Sequence, residues 1–357
     1  MDINKTTIIK PYPQEQMLID FIPKIKIKKG ERILCTSLGR AQFAHAFAQQ
    51  HPTSHVYCHY FDLYRAQLAW KFIANPPANL SIECAADFPK EKFDIVALPT
   101  SYIGEAELTR EMMQTGHTLL QLGGQMIITT DNKKDVWLGS EMKKIFQKIN
   151  RILDKRGVLY WATKTKSLKK LKCFSCEFAF KDRNNGRLIR AYSRPSVFSH
   201  RHVDLGARRL MEAMKIYNGY RVLDIGCGWG ALALAAFFRA PDVFVFAIDS
   251  NARAIQCTKQ SAQLNNVANI FTKLTANGEH NFPGTYDLVL ANPPYYANFQ
   301  IAELFATTGQ KALKPGGKIM FVTKAPHWYE KNMNRWFINS EIKKSKDYWI
   351  VTGDKKC

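Results

Sequence analysis

The sequence predicts an α/β protein with two similar domains, each a mostly parallel sheet with helices on both faces. Its length of 357 residues favours two domains, and apolar strand patterns alternate with helical patterns in both halves. Three pairs of similar segments recur in the same order, namely 32–41 with 221–231, 93–99 with 286–294, and 122–130 with 315–323. Their nearly constant spacing, 189 to 193 residues, indicates an internal duplication.

The individual elements are clearest in the C-terminal half. Residues 220–225 predict a strand, followed by a glycine turn and a helix over about 231–239. Further strands are predicted at 243–248, 269–274, 286–291, 318–323 and 347–352, with helices at 251–264 and 300–313. Turn residues between about 180 and 205 predict a connection. We therefore expect a first domain over 1–180, a basic linker over 181–205 and a second domain over 206–357.

The charge of the chain predicts a polyanionic partner. The net charge is +21, which favours phosphate neutralisation and counterion release. Between Arg156 and Arg194 there are eleven basic residues and two acids, interleaved with aromatic residues. We expect this basic joint to bind RNA, with Lys169, Lys170 and Lys172 as the contact residues, although solvated lysines on an ordinary surface are the simpler alternative.

Several classes of protein are disfavoured by the composition. No apolar run is long enough to span a membrane, and the N-terminal residues show no signal-peptide core. The eight cysteines are scattered, which is typical of reduced thiols in a cytoplasm. Cys173 and Cys176 have no second pair at zinc-finger spacing. We expect a cytoplasmic monomer without a metal.

The segment DIGCGWG at 224–230 places three glycines between a strand and a helix. Glycine permits a positive φ and close approach of a ligand. Gly226, Gly228 and Gly230 have GxGxG spacing, unlike the GxGxxG of dinucleotide folds. Asp249 ends the next strand, where it can accept both ribose hydroxyls, and Asp224 suits an ammonium group. Together these residues predict a pocket for a nucleoside with a charged amino-acid tail.

This combination resembles the class I S-adenosylmethionine-dependent methyltransferases. By that resemblance, Asp224 and the three glycines hold the methionine part of S-adenosylmethionine, and Asp249 holds the ribose. Asn277, in the loop after the following strand, either lies near the adenine or is an ordinary turn asparagine.

The stretch VLANPPYY at 289–296 ends a predicted strand with an asparagine and two prolines. In this family an Asn-Pro-Pro-aromatic motif follows the fourth strand, which corresponds to Asn292, Pro293, Pro294 and Tyr295. The Asn292 amide oxygen and the Pro293 carbonyl can accept both hydrogens of an exocyclic amine and align its nitrogen with the methyl group. The prolines restrict φ and remove competing donors, and Tyr295 offers a stacking face for a base. The alternative is a simple turn with a core tyrosine.

The same motif serves adenine N6, guanine N2 and glutamine nitrogen, so other segments must narrow the choice. PSVFSHRHVDLGARRL at 195–210, the duplicated plan and the basic joint resemble the ribosomal RNA small-subunit methyltransferase C and large-subunit methyltransferase G families. The resemblance implies two tandem Rossmann-like methyltransferase domains with seven-stranded sheets, and methylation of guanine N2 in 16S or 23S rRNA. In these families a Phe-Ser…Asp-x-Gly segment, the lead-in segment, precedes the catalytic domain, and it corresponds here to Phe198, Ser199, Asp204 and Gly206. The resemblance places Gly206 near the cofactor, and a helix cap is an equal alternative for Asp204. These families usually have phenylalanine where Tyr295 stands, which leaves adenine N6 open.

The N-terminal half resembles a degenerate copy of the C-terminal half. CTSLGR keeps only Gly39 of the three glycines, and LPTS replaces NPPY. Asp62 is the candidate for the position of Asp249. We therefore expect one cofactor per chain, with the first domain serving in structural support and RNA docking.

Three other functions agree less well with the sequence. A protein glutamine methyltransferase shares NPPY but does not need the basic joint. A non-catalytic RNA-binding ribosome-assembly protein does not need the intact pocket at 224–230. A nicotinamide dehydrogenase is disfavoured by the GxGxG spacing and by the absence of a hydride-transfer site.

Overall fold

The computed structural model describes residues 9–294 and 299–356. The chain divides into two units, Met1–Phe174 and Ser175–Cys357. Within the described ranges, each unit contains one seven-stranded α/β sheet. The predicted fold class is therefore confirmed.

The first unit alternates helices and strands along most of its length. Its helices are α1 (Pro13–Phe21), α2 (Gln42–Gln50), α3 (Leu63–Phe72), α4 (Ala106–Leu119) and α5 (Trp137–Ile145). Its strands are β1 (Arg32–Thr36), β2 (His55–Tyr60), β3 (Leu80–Cys84), β4 (Phe93–Thr100), β5 (Leu120–Thr130), β6 (Asn150–Asp154) and β7 (Gly157–Thr163). They are arranged in the order β3-β2-β1-β4-β5-β7-β6, with β7 antiparallel to both of its neighbours.

The second unit begins with a hairpin and then repeats the same plan. Its helices are α6 (Leu205–Ala213), α7 (Ala231–Phe237), α8 (Ala252–Leu264), α9 (Gln300–Ala312) and α10 (Pro326–Asn332). Its strands are β8 (Cys176–Lys181), β9 (Leu188–Ser193), β10 (Arg221–Ile225), β11 (Phe244–Asp249), β12 (Ile270–Leu274), β13 (Tyr286–Ala291), β14 (Leu313–Thr323), β15 (Ile338–Ser345) and β16 (Tyr348–Asp354). The sheet order is β12-β11-β10-β13-β14-β16-β15, which matches that of the first unit strand for strand.

The central strands of the second unit are buried on both faces. Along β10, Val222 belongs to one apolar cluster, whereas Leu223 and Ile225 belong to the cluster on the opposite face. Successive side chains of a strand point to opposite faces. A continuous apolar run is therefore expected for a parallel strand covered by helices on both sides.

The order of the strands fixes where a ligand can bind. The chain runs outward from β10 to β11 and β12, then returns to place β13 on the other side of β10. In open α/β sheets, such a reversal leaves a crevice outside the carboxyl ends of the two central strands. The predicted cofactor and amine motifs both begin at that edge.

The segment expected to be a linker, 181–205, folds as part of the second unit. It contains β9, which pairs with β8, and its Ile189 and Ala191 are fully buried in the core of the unit. Their alternation with exposed residues is a strand signal that the neighbouring turn residues obscured. Strand β15 was also missed, because it is an exposed edge strand with little apolar patterning.

Candidate active site

Strand register brings the two predicted motifs together. Ile225, the last residue of β10, pairs with Ile248 on one side and with Ala291 on the other. Gly226, Asp249 and Asn292 directly follow these three residues, so they leave neighbouring strands at the same level. The glycine loop, the acidic residue and the Asn-Pro-Pro motif thus share one edge of the sheet.

The glycine loop, residues 226–230, turns sharply from β10 into α7. Gly226, Gly228 and Gly230 have φ values of +75°, +56° and +91°, a region that favours glycine. At Gly226 and Gly230 an added Cβ would also lie 3.1 Å from a neighbouring side chain, Phe305 and Thr258 respectively. At Gly228 the nearest atoms are 4.0 Å away. An added Cβ at Gly228 would therefore make only ordinary van der Waals contacts.

Asp249 holds this loop in shape. One of its carboxylate oxygens accepts a hydrogen bond from the backbone N–H of Gly228 at 2.9 Å, and the other accepts one from Asn251 N–H at 2.8 Å. Asp249 consequently links the glycine loop to the start of α8.

Asp224 is a buried acid with an incompletely satisfied carboxylate. It is fully buried at the end of β10. Its Oδ2 accepts a hydrogen bond from Ala233 N–H at 3.1 Å, whereas Oδ1 has no hydrogen-bond partner among the described residues. The pKa of Asp224 is raised to about 7, mainly by burial and also by the charge of Asp249, against the opposing effect of the Ala233 N–H hydrogen bond. A cation brought close to Oδ1 would stabilise the ionised form.

Asn292 is the first residue after β13, and its amide is held by α6. Its Nδ2 donates to Asp204 Oδ2 at 3.0 Å. The same Asp204 oxygen accepts from Ala207 N–H at 2.9 Å and caps the N-terminus of α6. Two segments far apart in sequence thus meet beside the glycine loop.

Comparison with protein families agrees with this geometry. Residues 189–352 match the family described as Methyltransferase small domain. This match lies within the second unit, and the chain is a methyltransferase. The resemblance and the enzyme class predicted from the sequence are therefore confirmed.

Two curated relatives of this methyltransferase have the same name. The Ribosomal RNA small subunit methyltransferase C of Pseudoalteromonas translucida is 32% identical over 38% of this chain and 40% of that protein. The protein of the same name from Acinetobacter baumannii is 24% identical over 75% of this chain and 79% of that protein. A solved structure of the T. thermophilus 16S rRNA N2 methyltransferase, in complex with AdoMet and guanosine, aligns with a TM-score of 0.75 at 17% identity. That alignment covers 95% of this chain and 92% of the T. thermophilus chain, and it establishes the fold.

Two predicted cofactor residues of the methyltransferase have other contacts. Asn277 is exposed, and its side chain bonds within its own turn, to Thr275 and Glu279. This geometry is that of an ordinary turn asparagine. Gly206 lies in the first turn of α6, where an added Cβ would come within 2.8 Å of Asp204 Oδ2 and 3.0 Å of Tyr348. The role of Gly206 beside the cofactor stays a prediction, as does that of Asn277.

The remaining predicted residues lie at the ends of the motifs. Pro293 is buried and Pro294 half-buried, directly after Asn292. Tyr295 lies outside the described residues. Lys169, Lys170 and Lys172 are exposed in the segment after β7, and the Lys172 backbone exchanges two hydrogen bonds of 2.8 Å with the Gln114 side chain. Their role in RNA binding stays a prediction.

Residues 37–41 of the first unit correspond to the glycine loop at 226–230, and their backbone N–H groups are bonded by another side chain of the protein. Glu15, on α1, is fully buried. Its carboxylate accepts from the Ser37 hydroxyl and from the backbone N–H groups of Leu38 and Gly39, the last two at 3.0 and 2.8 Å. Tyr60 ends β2 in the register position that Asp249 occupies on β11, and its hydroxyl donates to Gly39 O.

Asp62 is not the counterpart of Asp249 that the sequence suggested. It caps α3 and accepts a hydrogen bond from Arg65 N–H at 3.0 Å. The predicted correspondence was two residues too far along the chain, because the turn after β2 contains Phe61 before the cap. Sequence spacing alone does not distinguish a residue that ends a strand from one that begins the following helix.

Sequence reasoning also missed residues that shape the pocket of the second unit. The Phe198 backbone oxygen and the Val197 side chain are the atoms closest to the position of a Cβ added at Gly228. This loop is tied to the start of α8, because Asn251 Nδ2 donates to Ser196 O at 2.7 Å. Phe198 belongs to the Phe-Ser segment that resembles the methyltransferase families, but it is thirty residues from Gly228 in sequence, so the sequence did not predict this contact.

Metal and membrane features are not found in the parts of the chain that the structure describes. No group of three or more His, Cys, Asp or Glu residues there is arranged to hold a metal ion. None of the helices there is long and apolar enough to cross a membrane.

Proposed function

We propose that this methyltransferase transfers a methyl group from S-adenosylmethionine to guanine N2 of small-subunit ribosomal RNA. The observation that carries the proposal is the strand register that starts Gly226 and Asn292 at the same level on adjacent strands. A cofactor on the glycine loop then lies beside a motif suited to an exocyclic amine. The shared name of the relatives, and the guanosine in the T. thermophilus structure, supply the choice of RNA and of guanine.

The residues of the pocket fit S-adenosylmethionine. Glycine at position 228 permits close approach of the methionine part, and Asp224 Oδ1, which has no hydrogen-bond partner among the described residues, suits a cation. Under this proposal Asp249 accepts hydrogen bonds from the ribose hydroxyls, as an acid at the end of the second strand does in many nucleotide-binding sheets. Bound there, S-adenosylmethionine supplies a methyl group on a positively charged sulfur, which is open to attack by a lone pair.

The Asn-Pro-Pro motif then acts on the nucleophile. An exocyclic base amine is a weak nucleophile, because its lone pair is delocalised into the ring. The Asn292 amide oxygen and the Pro293 carbonyl accept its two N–H groups, which fixes the nitrogen in line with the methyl group. No strong general base is required, since the methylated amine is acidic enough to lose its proton to water.

The first unit serves in support and RNA docking under this proposal. Glu15 and Tyr60 occupy the loop that a cofactor would need, so one cofactor binds per chain. The exposed Lys169, Lys170 and Lys172 offer charge to the RNA backbone. A ribosomal substrate also agrees with the cytoplasmic location expected from the cysteines.

The proposal is tested by methyl transfer with the Asn292→Ala variant. We expect turnover on small-subunit rRNA to fall by about 10²-fold, the scale for losing one positioned polar group, while the dissociation constant for S-adenosylmethionine stays unchanged. RNA with inosine at the modified position lacks the 2-amino group and should accept no methyl. Methylation of the inosine RNA, or full activity of Asn292→Ala, contradicts the proposal.

A further inference from the structure

We propose that Asp204 is a positioning residue that sets the orientation of the Asn292 amide for the incoming amine. The inference rests on the proposed function, because it concerns how Asn292 is made ready for its substrate. It assigns to Asp204 a role in the reaction beyond that of a helix cap.

The geometry of the contact is specific. Asn292 Nδ2 donates to Asp204 Oδ2 at 3.0 Å, and the residues are 88 positions apart in sequence. Ala207 N–H donates to that same oxygen at 2.9 Å. The bond from Ala207 N–H fixes the Asp204 carboxylate relative to α6. The bond from Asn292 Nδ2 attaches the Asn292 amide to that carboxylate.

Helix α6 shares a buried core with strand β13, which ends directly before Asn292. Its Ala207 and Leu210 lie in one buried cluster with Leu288 and Leu290 of β13. A displacement of Asp204 therefore requires the core of the unit to rearrange. A tether from such a helix gives a rigid reference for a side chain at the sheet edge.

The chemistry explains why a hydrogen-bond acceptor is needed at this position. The oxygen and nitrogen of an amide are nearly the same size, so an asparagine can present either one to its substrate. A carboxylate accepts hydrogen bonds and donates none, so it selects the Nδ2 group of Asn292. Oδ1 is then the atom left to accept from the base amine. The flipped amide would present its own N–H donors to the amine N–H that Asn292 has to accept, and it could not bind that group.

Gly206 gains a physical role in the same arrangement. A Cβ at Gly206 would lie 2.8 Å from Asp204 Oδ2, too close for an unstrained contact. Glycine therefore keeps the carboxylate oxygen where both N–H groups reach it. The Asp-x-Gly spacing of the lead-in segment follows from this contact without requiring Gly206 to touch the cofactor.

The test compares two substitutions that both preserve the helix cap. Asp204→Ser keeps a capping oxygen, since serine and aspartate cap equally well, but its side chain is too short to reach Asn292. Asp204→Asn keeps an oxygen able to accept both bonds. Single-turnover rates on rRNA, S-adenosylmethionine affinity and melting temperature are measured for each, and for Asp204→Ser combined with Asn292→Ala.

We expect Asp204→Ser to lower kcat about tenfold or more, the scale of a lost hydrogen bond to a charged group, with KM for S-adenosylmethionine unchanged. Asp204→Asn should stay within about threefold of the parent rate. In the Asn292→Ala background, Asp204→Ser should not lower the rate of methyl transfer further, because Asp204 affects the reaction only through Asn292.

Two results would overturn the inference. One is an active Asp204→Ser enzyme, and the other is an equal loss from Asp204→Ser with and without Asn292. If serine prevents folding, Asp204→Thr is the second capping variant and is judged by the same ratios. Failure of the proposed function is seen separately, in the product of the parent enzyme. If that product is a different methylated amine, these ratios still decide the role of Asp204, and if no amine is methylated both proposals fall.

Discussion

Cofactor affinity should depend on pH through Asp224. Burial raises the pKa of this carboxyl to about 7 from an ordinary value of 3.8. A positively charged ligand near Oδ1 favours the ionised form, so binding releases a proton wherever the free protein still holds one. Affinity should therefore rise with pH up to about 7 and then level off.

The magnitude follows from the fraction of protein that is ionised. At pH 5.5, about one molecule in 30 has an ionised Asp224 when the pKa is about 7. The dissociation constant should then be about 30-fold higher at pH 5.5 than its limiting value, which corresponds to about 2 kcal/mol of binding free energy. At pH 7 the loss is only about twofold.

The assay is a calorimetric titration with S-adenosylmethionine between pH 5.5 and 7.5, in the parent protein and in Asp224→Asn. Asparagine retains an oxygen for the Ala233 N–H but does not titrate, so its pH profile of affinity should be nearly flat.

The stability of the protein gives a second readout of the same carboxyl. Because the pKa of Asp224 is raised on folding, its contribution lowers the unfolding free energy as pH rises from about 4 through about 7, and Asp224→Asn removes that decline. Identical pH profiles of affinity in the two proteins would refute the reasoning.

Three further predictions concern the loop of the first unit around Gly39, the glycine loop of the second unit and the basic joint. Glu15→Ala leaves the N–H groups of Leu38 and Gly39 without their carboxylate, so urea unfolding should show a loss of about 2–3 kcal/mol. Cofactor stoichiometry should remain one per chain, and a value near two would contradict the filled first pocket. Gly228→Arg should abolish cofactor binding in an equilibrium titration, whereas Gly316→Ala, another positive-φ position with open surroundings, should not. Reversing the charge of Lys169, Lys170 and Lys172 should weaken RNA binding and flatten its salt dependence without changing cofactor affinity, and an unchanged RNA affinity would make these lysines ordinary surface residues.

Much of the second unit could be predicted from local sequence signals. The strands 220–225, 243–248 and 286–291 agree with β10, β11 and β13 to within a residue or so. They are continuous apolar runs bounded by glycine, aspartate and proline, and such boundaries are set locally. The pairing of the glycine loop with the Asn-Pro-Pro motif also followed, because both come directly after strands of one parallel sheet.

The contacts that could not be predicted join residues far apart in sequence. Nothing near Glu15 indicates that its carboxylate will meet Gly39, and nothing near Asp204 indicates that it will meet Asn292. Both acids lie at the start of a helix, where a capping or exposed role is the simpler expectation. These contacts form only when each helix packs on its sheet. Glu15 then binds the loop around Gly39, and Asp204 binds Asn292.

The central claim is that one amine, guanine N2, receives the methyl group. It is tested most directly by incubating the full-length protein with small-subunit rRNA and S-adenosylmethionine carrying a deuterated methyl group, followed by nucleoside mass spectrometry. The account predicts deuterated N2-methylguanosine as the product, reduced about 10²-fold with Asn292→Ala. Deuterated N6-methyladenosine, or RNA that carries no label, would contradict it.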